Sequence, residues 1–97
     1  MIPNATPTFI HDDEQGLFIA DIDGHQATLT YQAVDDTTLD FQSTFVPHAL
    51  REQQIGTRLV RYGLEWARER KMKVIPSCWF VGSVVERYPE FRDLLTR

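Results

Sequence analysis

Ser43-Thr44-Phe45-Val46-Pro47, then Arg51-Glu52-Gln53-Gln54-Ile55-Gly56-Thr57-Arg58, and further on Ile75-Pro76-Ser77-Cys78-Trp79-Phe80-Val81, are the stretches on which the reading of this chain turns. The first two read as a strand feeding a polar loop that opens a helix, an arrangement that leaves backbone N–H groups free to hold phosphate. The third sets the only cysteine at the end of a second strand. Together they predict a site for an anionic cofactor beside a thiol.

Working outward, Pro47 stops the strand because it brings no N–H to the ladder, and the apolar period changes from two to between three and four. Ile55, Leu59, Tyr62, Gly63 and Trp66 then share one helical face, flanked by Val60 and Ala67, with Arg58, Arg61, Glu65, Arg68 and Glu69 opposite. This face assigns Tyr62 and Trp66 to the core. Glu69-Arg70-Lys71 ends the helix with cations suited to its carbonyl end. Residues 73–78 predict a short buried strand on Val74 and Ile75, and residues 80–88 a second helix, stopped at Tyr88-Pro89. One more turn, residues 90–95, packs through Phe91, Leu94 and Leu95.

Upstream, residues 17–23 (LFIADID) form an apolar run ending at the turn signal Asp23-Gly24. Residues 26–34 follow with Ala27, Leu29, Tyr31 and Ala33 on one face, and residues 39–46 with Leu39, Phe41, Ser43 and Phe45 on one face. Residues 8–11 are open between an edge strand and a loop. The order is strand, strand, strand, helix, strand, helix, which predicts an α+β domain with a mostly antiparallel mixed sheet, a central helix and a C-terminal helix.

The bulk figures narrow the function. A chain of 97 residues with 42% apolar and 25% charged residues suits one globular domain, residues 1–97. Its formal charge of −4 argues against a general affinity for nucleic acid, although eight of ten basic residues lie between Arg51 and Arg87. A single cysteine, no signal peptide and no apolar run of membrane-spanning length predict a cytoplasmic protein without membrane partners. His11, His25 and His48 are far apart and have no paired spacing with Cys78, so no metal is implied.

At these residues the chain resembles the GCN5-related N-acetyltransferase superfamily, and within it a small single-domain group of about a hundred residues. The likeness runs over residues 18–95. The superfamily's Gln/Arg-x-x-Gly-x-Gly/Ala loop has Arg51, Gln54 and Gly56 at its three defined positions, with Gln54 standing where the first glycine falls. The small group is matched further by Val46-Pro47, by Pro76-x-Cys78 with Phe80-Val81, and by Tyr88-Pro89-Glu90-Phe91 ahead of Asp93-Leu94. Ser43-Thr44 departs from the His-Thr common there.

The resemblance implies a three-layer α/β arrangement cut down to a minimal acetyltransferase core, with acetyl-coenzyme A or coenzyme A as its ligand. It implies that Arg51, Glu52, Gln53, Gln54, Ile55, Gly56, Thr57 and Arg58 surround the cofactor diphosphate. It also implies that the strands before and after the central helix separate, so that the acetyl arm pairs with the open edge and Phe45 or Val46 offers a backbone N–H to the oxyanion. The implied acceptor is an amine, either small or a protein lysine. Cys78, at a strand's carboxyl end and just ahead of a helix, is the candidate catalytic residue. It accepts an acetyl group, lines the pocket, or is a buried small hydrophobe. His48 reads either as a base or as a solvated loop residue, and Tyr88 as a proton donor or a core aromatic. Acidic residues of the first half, Asp40 among them, read as a solvated face that attracts an amine. A coenzyme A-binding module without catalysis, and chemistry centred on Cys78 itself, are the competing readings.

Overall fold

The computed structural model of the protein describes residues 6–96 apart from the side chain of Glu52. Five strands form one sheet in the order β1-β2-β3-β4-β5: β1 (Thr8–Asp12), β2 (Leu17–Ile22), β3 (His25–Asp35), β4 (Thr38–Phe45) and β5 (Lys73–Ile75). The first four pair antiparallel and β5 joins β4 in parallel. A parallel pair needs a crossover, which α1 (Ile55–Glu69) supplies. After β5 come α2 (Trp79–Arg87) and a 3-10 segment, Pro89–Leu94. The residues open between strand and loop are an edge strand. None of the described helices is long and apolar enough to cross a membrane.

The tight turns follow from local chemistry. Asp23 and Gly24 both take positive φ, 51° and 83°, the twist that a two-residue hairpin requires. Asp21 accepts hydrogen bonds from the Gln26 side chain and the Gly24 N–H, which hold its carboxyl below the usual carboxylate range. Asp35 serves the next turn in the same way through the N–H and hydroxyl of Thr37.

One sheet face and the helices share the core. Phe18, Ala20, Ile22, Ala27, Leu29, Tyr31, Leu39, Phe41 and Val74 meet Leu59, Val60, Leu64 and Ala67 of α1 and Val81, Val84 and Val85 of α2. The helix lies close on the sheet at Gly63, where an added Cβ would sit 3.1 Å from Leu29, 3.2 Å from Phe41 and 3.3 Å from Phe18. Tyr62 and Trp66 do not go deep. They are half-buried at the rim, Tyr62 stacked on Phe9 and Trp66 beneath the Arg70 guanidinium. His11 packs against Phe18 and Trp66 and bonds the Tyr31 hydroxyl. Burial lowers the His11 pKa below its ordinary value, against an opposing pull from Asp13, and burial likewise raises that of Tyr31.

The sheet and helices form the acetyltransferase-like α+β arrangement that the resemblance implies, with the described helices sharing one core with one sheet face. Positions of the opposite parity, Thr28, Thr30, Gln32 and Gln42, are half-buried or exposed, and Gln42 bonds Gln32 across that bare face. All the helical segments follow β4, and their apolar faces join the single core on the other side.

A second difference lies within β4. Ser43 pairs with Thr30 but Phe41 with Tyr31, so Gln42 is an extra residue, a β-bulge. A bulge flips the parity of every residue beyond it. The expected face of Leu39, Phe41, Ser43 and Phe45 is thereby corrected: Ser43 and Phe45 are exposed, and Thr44 and Val46 turn toward the helices, half-buried. Ala33, beside another irregularity in β3, is also exposed rather than buried.

Candidate functional site

The bulge also bends β4 away from β5. Their pairing ends at Asp40↔Ile75, earlier than the strand expected over residues 73–78, and only the Cys78 N–H still reaches across, to the Phe41 carbonyl at 2.9 Å. Beyond it, residues 42–46 have no described strand on that edge. In the mouth of the gap the Thr44 hydroxyl and the Cys78 sulfur lie 3.5 Å apart. Cys78 is buried and occupies the N-cap of α2, its own carbonyl taking the N–H of Val81.

The chain then climbs through a 3-10 segment, His48–Gln53, pinned by fully buried Leu50. At Gln54 it takes a left-handed conformation, φ 54° and ψ 34°, and turns into α1. The first amide bonded back along this helix is Arg58 N–H, to the Gln54 carbonyl at 3.0 Å, and the Gln54 side chain makes no capping bond. The N–H groups of Ile55, Gly56 and Thr57 precede that bond and have no acceptor within the helix.

Beside this turn runs a groove of about 370 Å³ lined by Val46, Arg51, Gln54, Gly56, Thr57, Phe80 and Arg87. Among the described side chains no carboxylate lines it. Arg51 Nε donates to the Val46 carbonyl at 3.2 Å, and Arg87 Nη2 to the buried Thr57 hydroxyl at 2.9 Å. A larger groove, about 510 Å³, crosses the outside of α1 between Phe9 and Phe91, and it mixes Arg58 and Arg61 with Glu65 and Glu90. Its mixed charge suits an anion less well.

The residues singled out from sequence divide accordingly. Arg51, Gln54, Gly56, Thr57 and Val46 converge on one groove. Ile55 is fully buried, so its side chain belongs to the core. Arg58 faces the neighbouring groove, Gln53 is half-buried, and the side chain of Glu52 lies outside the described residues. Gly56 has a packing reason, since a Cβ there would stand 3.1 Å from Val46 and 3.2 Å from the Phe80 ring. Phe45 pairs with Thr28 and its ring is 60% exposed. His48 is exposed, and Tyr88 sits at the far end of α2 under the Arg61 guanidinium. A nine-residue helix separates Tyr88 from Cys78 by about 15 Å along its axis.

Sequence reasoning missed Arg87 and read Asp40 only as part of a solvated acidic face. Arg87 reaches the groove from α2, with no local signal to reveal it. Asp40 keeps one buried carboxylate oxygen without a hydrogen-bond partner, on β4 directly before Phe41. Among the described residues no group of three or more His, Cys, Asp or Glu side chains is placed to hold a metal ion.

Comparison with known proteins agrees with this geometry. A family model described as GCN5-related N-acetyl-transferase matches residues 17–94. Protein NATD1 of Danio rerio is 30% identical over 81 residues, 81% of this chain and 74% of the relative. Protein NATD1 of Xenopus tropicalis is 29% identical over 91 residues, 92% of this chain and 84% of the relative. Among solved structures, the NMR solution structure of a GCN5-like N-acetyltransferase candidate from Staphylococcus aureus superimposes with a TM-score of 0.70 at 26% identity, covering 92% of this chain and 87% of that one.

Proposed function

The chain belongs to the GCN5-related N-acetyltransferase family, and from that premise we propose that it moves an acetyl group from acetyl-coenzyme A to an amine. The observation that carries this reading is the left-handed turn at Gln54, which leads into uncapped amides beside a groove lined by Arg51 and Arg87, next to the gap between β4 and β5. A diphosphate carries charge that must be paired once it leaves water, and a helix start offers both N–H donors and a partial positive charge. Ile55, Gly56 and Thr57 supply the donors, and Arg51 adds a full charge tied to the Val46 carbonyl. The groove therefore fits the group that the family implies.

Acetyl-coenzyme A supplies an activated thioester carbonyl. The residues of this chain hold and orient. The unpaired edge over residues 42–46 takes the acyl arm by strand-like pairing, and a backbone N–H of Phe45 or Val46 stabilises the developing oxyanion. Thr44 and Cys78 border the arm's end, where Cys78 is the candidate catalytic thiol. Asp40, whose buried carboxylate oxygen has no hydrogen-bond partner, is the candidate base that takes the proton of the acceptor ammonium. The acceptor is a small amine or a protein lysine.

A second reading, a coenzyme A-binding module without catalysis, is favoured by one observation. Among the described residues no histidine or carboxylate is hydrogen-bonded to Thr44 or Cys78. Calorimetric titration with coenzyme A and acetyl-coenzyme A, followed by intact-mass analysis with a panel of amines and lysine peptides, separates the readings. Binding with acetylated product supports the transferase. Binding without product supports the module, and no binding at millimolar ligand refutes both. An adduct on the protein itself that Cys78→Ala abolishes would place Cys78 at the centre of the chemistry.

A further inference from the structure

We propose that Arg87, from the last turn of α2 and outside the cofactor loop, is a second cationic ligand for the phosphates in the groove at the start of α1. The inference rests on the cofactor reading above.

Arg87 lies 30 residues from Thr57, yet its Nη2 donates to the Thr57 hydroxyl at 2.9 Å and its side chain lines the same groove as Arg51, Gln54 and Gly56. The partner is neutral, so the bond fixes the guanidinium without cancelling its charge. Three other arginines are compensated: Arg68 pairs with Asp93, Arg70 with Glu69, and Arg61 lies over the Tyr88 ring. Arg87 has neither a carboxylate nor an aromatic face against it among the described contacts. A guanidinium presents five N–H donors in a rigid fork, and one bond to a hydroxyl leaves the rest for an anion.

The anchor itself is informative. Thr57 is 94% buried in the first turn of α1, so its hydroxyl ties the exposed Arg87 side chain to the start of that helix. Arg51, held by the Val46 carbonyl, is the other cation in the described lining of the same groove. Two guanidiniums and a helix start concentrate positive charge in this groove, and a doubly charged phosphate group neutralises it. A carboxylate or other single anion leaves one of them uncompensated.

A tie between helices would account for the Thr57 bond equally well, so the test must read phosphate and not stability. The full chain, wild type and the variants Arg87→Gln, Arg87→Lys, Thr57→Val and Arg92→Gln, is titrated with coenzyme A and with pantetheine, which has the same arm without phosphates. Thermal melts accompany each titration. Arg87→Gln is expected to lose about tenfold in coenzyme A affinity, equivalent to about 1.4 kcal/mol. Its pantetheine affinity stays unchanged and its salt dependence becomes shallower. Arg87→Lys and Thr57→Val, one keeping the charge and the other releasing its anchor, fall between. Arg92→Gln, exposed and outside the groove, stays at the wild-type value.

Coenzyme A affinity of Arg87→Gln within twofold of wild type overturns the assignment and leaves the cofactor reading standing. So does an equal loss for pantetheine, which would make Arg87 a structural tie. If Arg87→Gln fails to fold, Arg87→Lys and Thr57→Val decide by the same comparison. Failure of the wild type to bind coenzyme A refutes the cofactor reading and this inference with it.

Discussion

Replacing Gln54 by glycine should make the protein more stable without weakening its hold on coenzyme A. Gln54 occupies φ 54° and ψ 34°, where Cβ crowds the following carbonyl oxygen, and this costs a non-glycine residue about 1–2 kcal/mol. Glycine removes that strain but brings a more flexible unfolded chain, which offsets about 0.5–1 kcal/mol. Gln54 makes no capping bond, so no hydrogen bond at the helix start is lost. The net gain spans about 0–1.5 kcal/mol, and its midpoint near 0.75 kcal/mol corresponds to about 3–6 °C in Tm for a domain of this size. Circular-dichroism melts of Gln54→Gly and wild type measure it, and titration with coenzyme A follows. The position is where the superfamily's loop has glycine, and the left-handed backbone explains the preference without any contact to phosphate. A lower Tm would refute the strain argument. A loss of coenzyme A affinity beyond threefold would show that the Gln54 side chain is itself a ligand.

Gly63→Val should cost about 1–3 kcal/mol in urea unfolding, because the new methyls meet Leu29, Phe41 and Phe18 where the helix already touches the sheet. Stability should fall as the pH drops from about 6.5, the ordinary pKa of histidine, toward the lower value of the folded state. Burial depresses the His11 pKa, so the unfolded chain binds more protons across that window and acid favours it. Urea melts at pH 8, 6.5 and 5 check this, and His11→Gln should flatten the profile. Asp40→Asn should cut acetyl transfer by about 10²-fold or more with coenzyme A affinity unchanged. A titration and a steady-state assay on the same preparation test both halves, and equal turnover would remove Asp40 from the mechanism.

Much of this was legible along the chain because it depends on local geometry. Alternation in residues 26–34 and the three-to-four period from Ile55 to Trp66 come from the backbone itself, as does the Asp23-Gly24 turn. These local signals determined the element order and the helix start beside the candidate site. The likeness to the acetyltransferases also lay in short motifs that the sequence carries whole.

Contacts between distant segments decided the rest. Whether β4 keeps its parity past Phe41 depends on its register with β3, and the extra Gln42 turned Thr44 and Val46 inward while the alternation pointed to Ser43 and Phe45. The divergence of β4 from β5 brought Thr44 beside Cys78, 34 residues later. Arg87 looks like an ordinary cation closing a helix until α2 folds back across α1 and hands it to Thr57. Gly56 reads as room for a ligand until Phe80 and Val46 close around it. Periodicity reports which way a side chain faces along its own element, whereas only the packed fold determines what stands opposite, and binding and catalysis depend on that opposition.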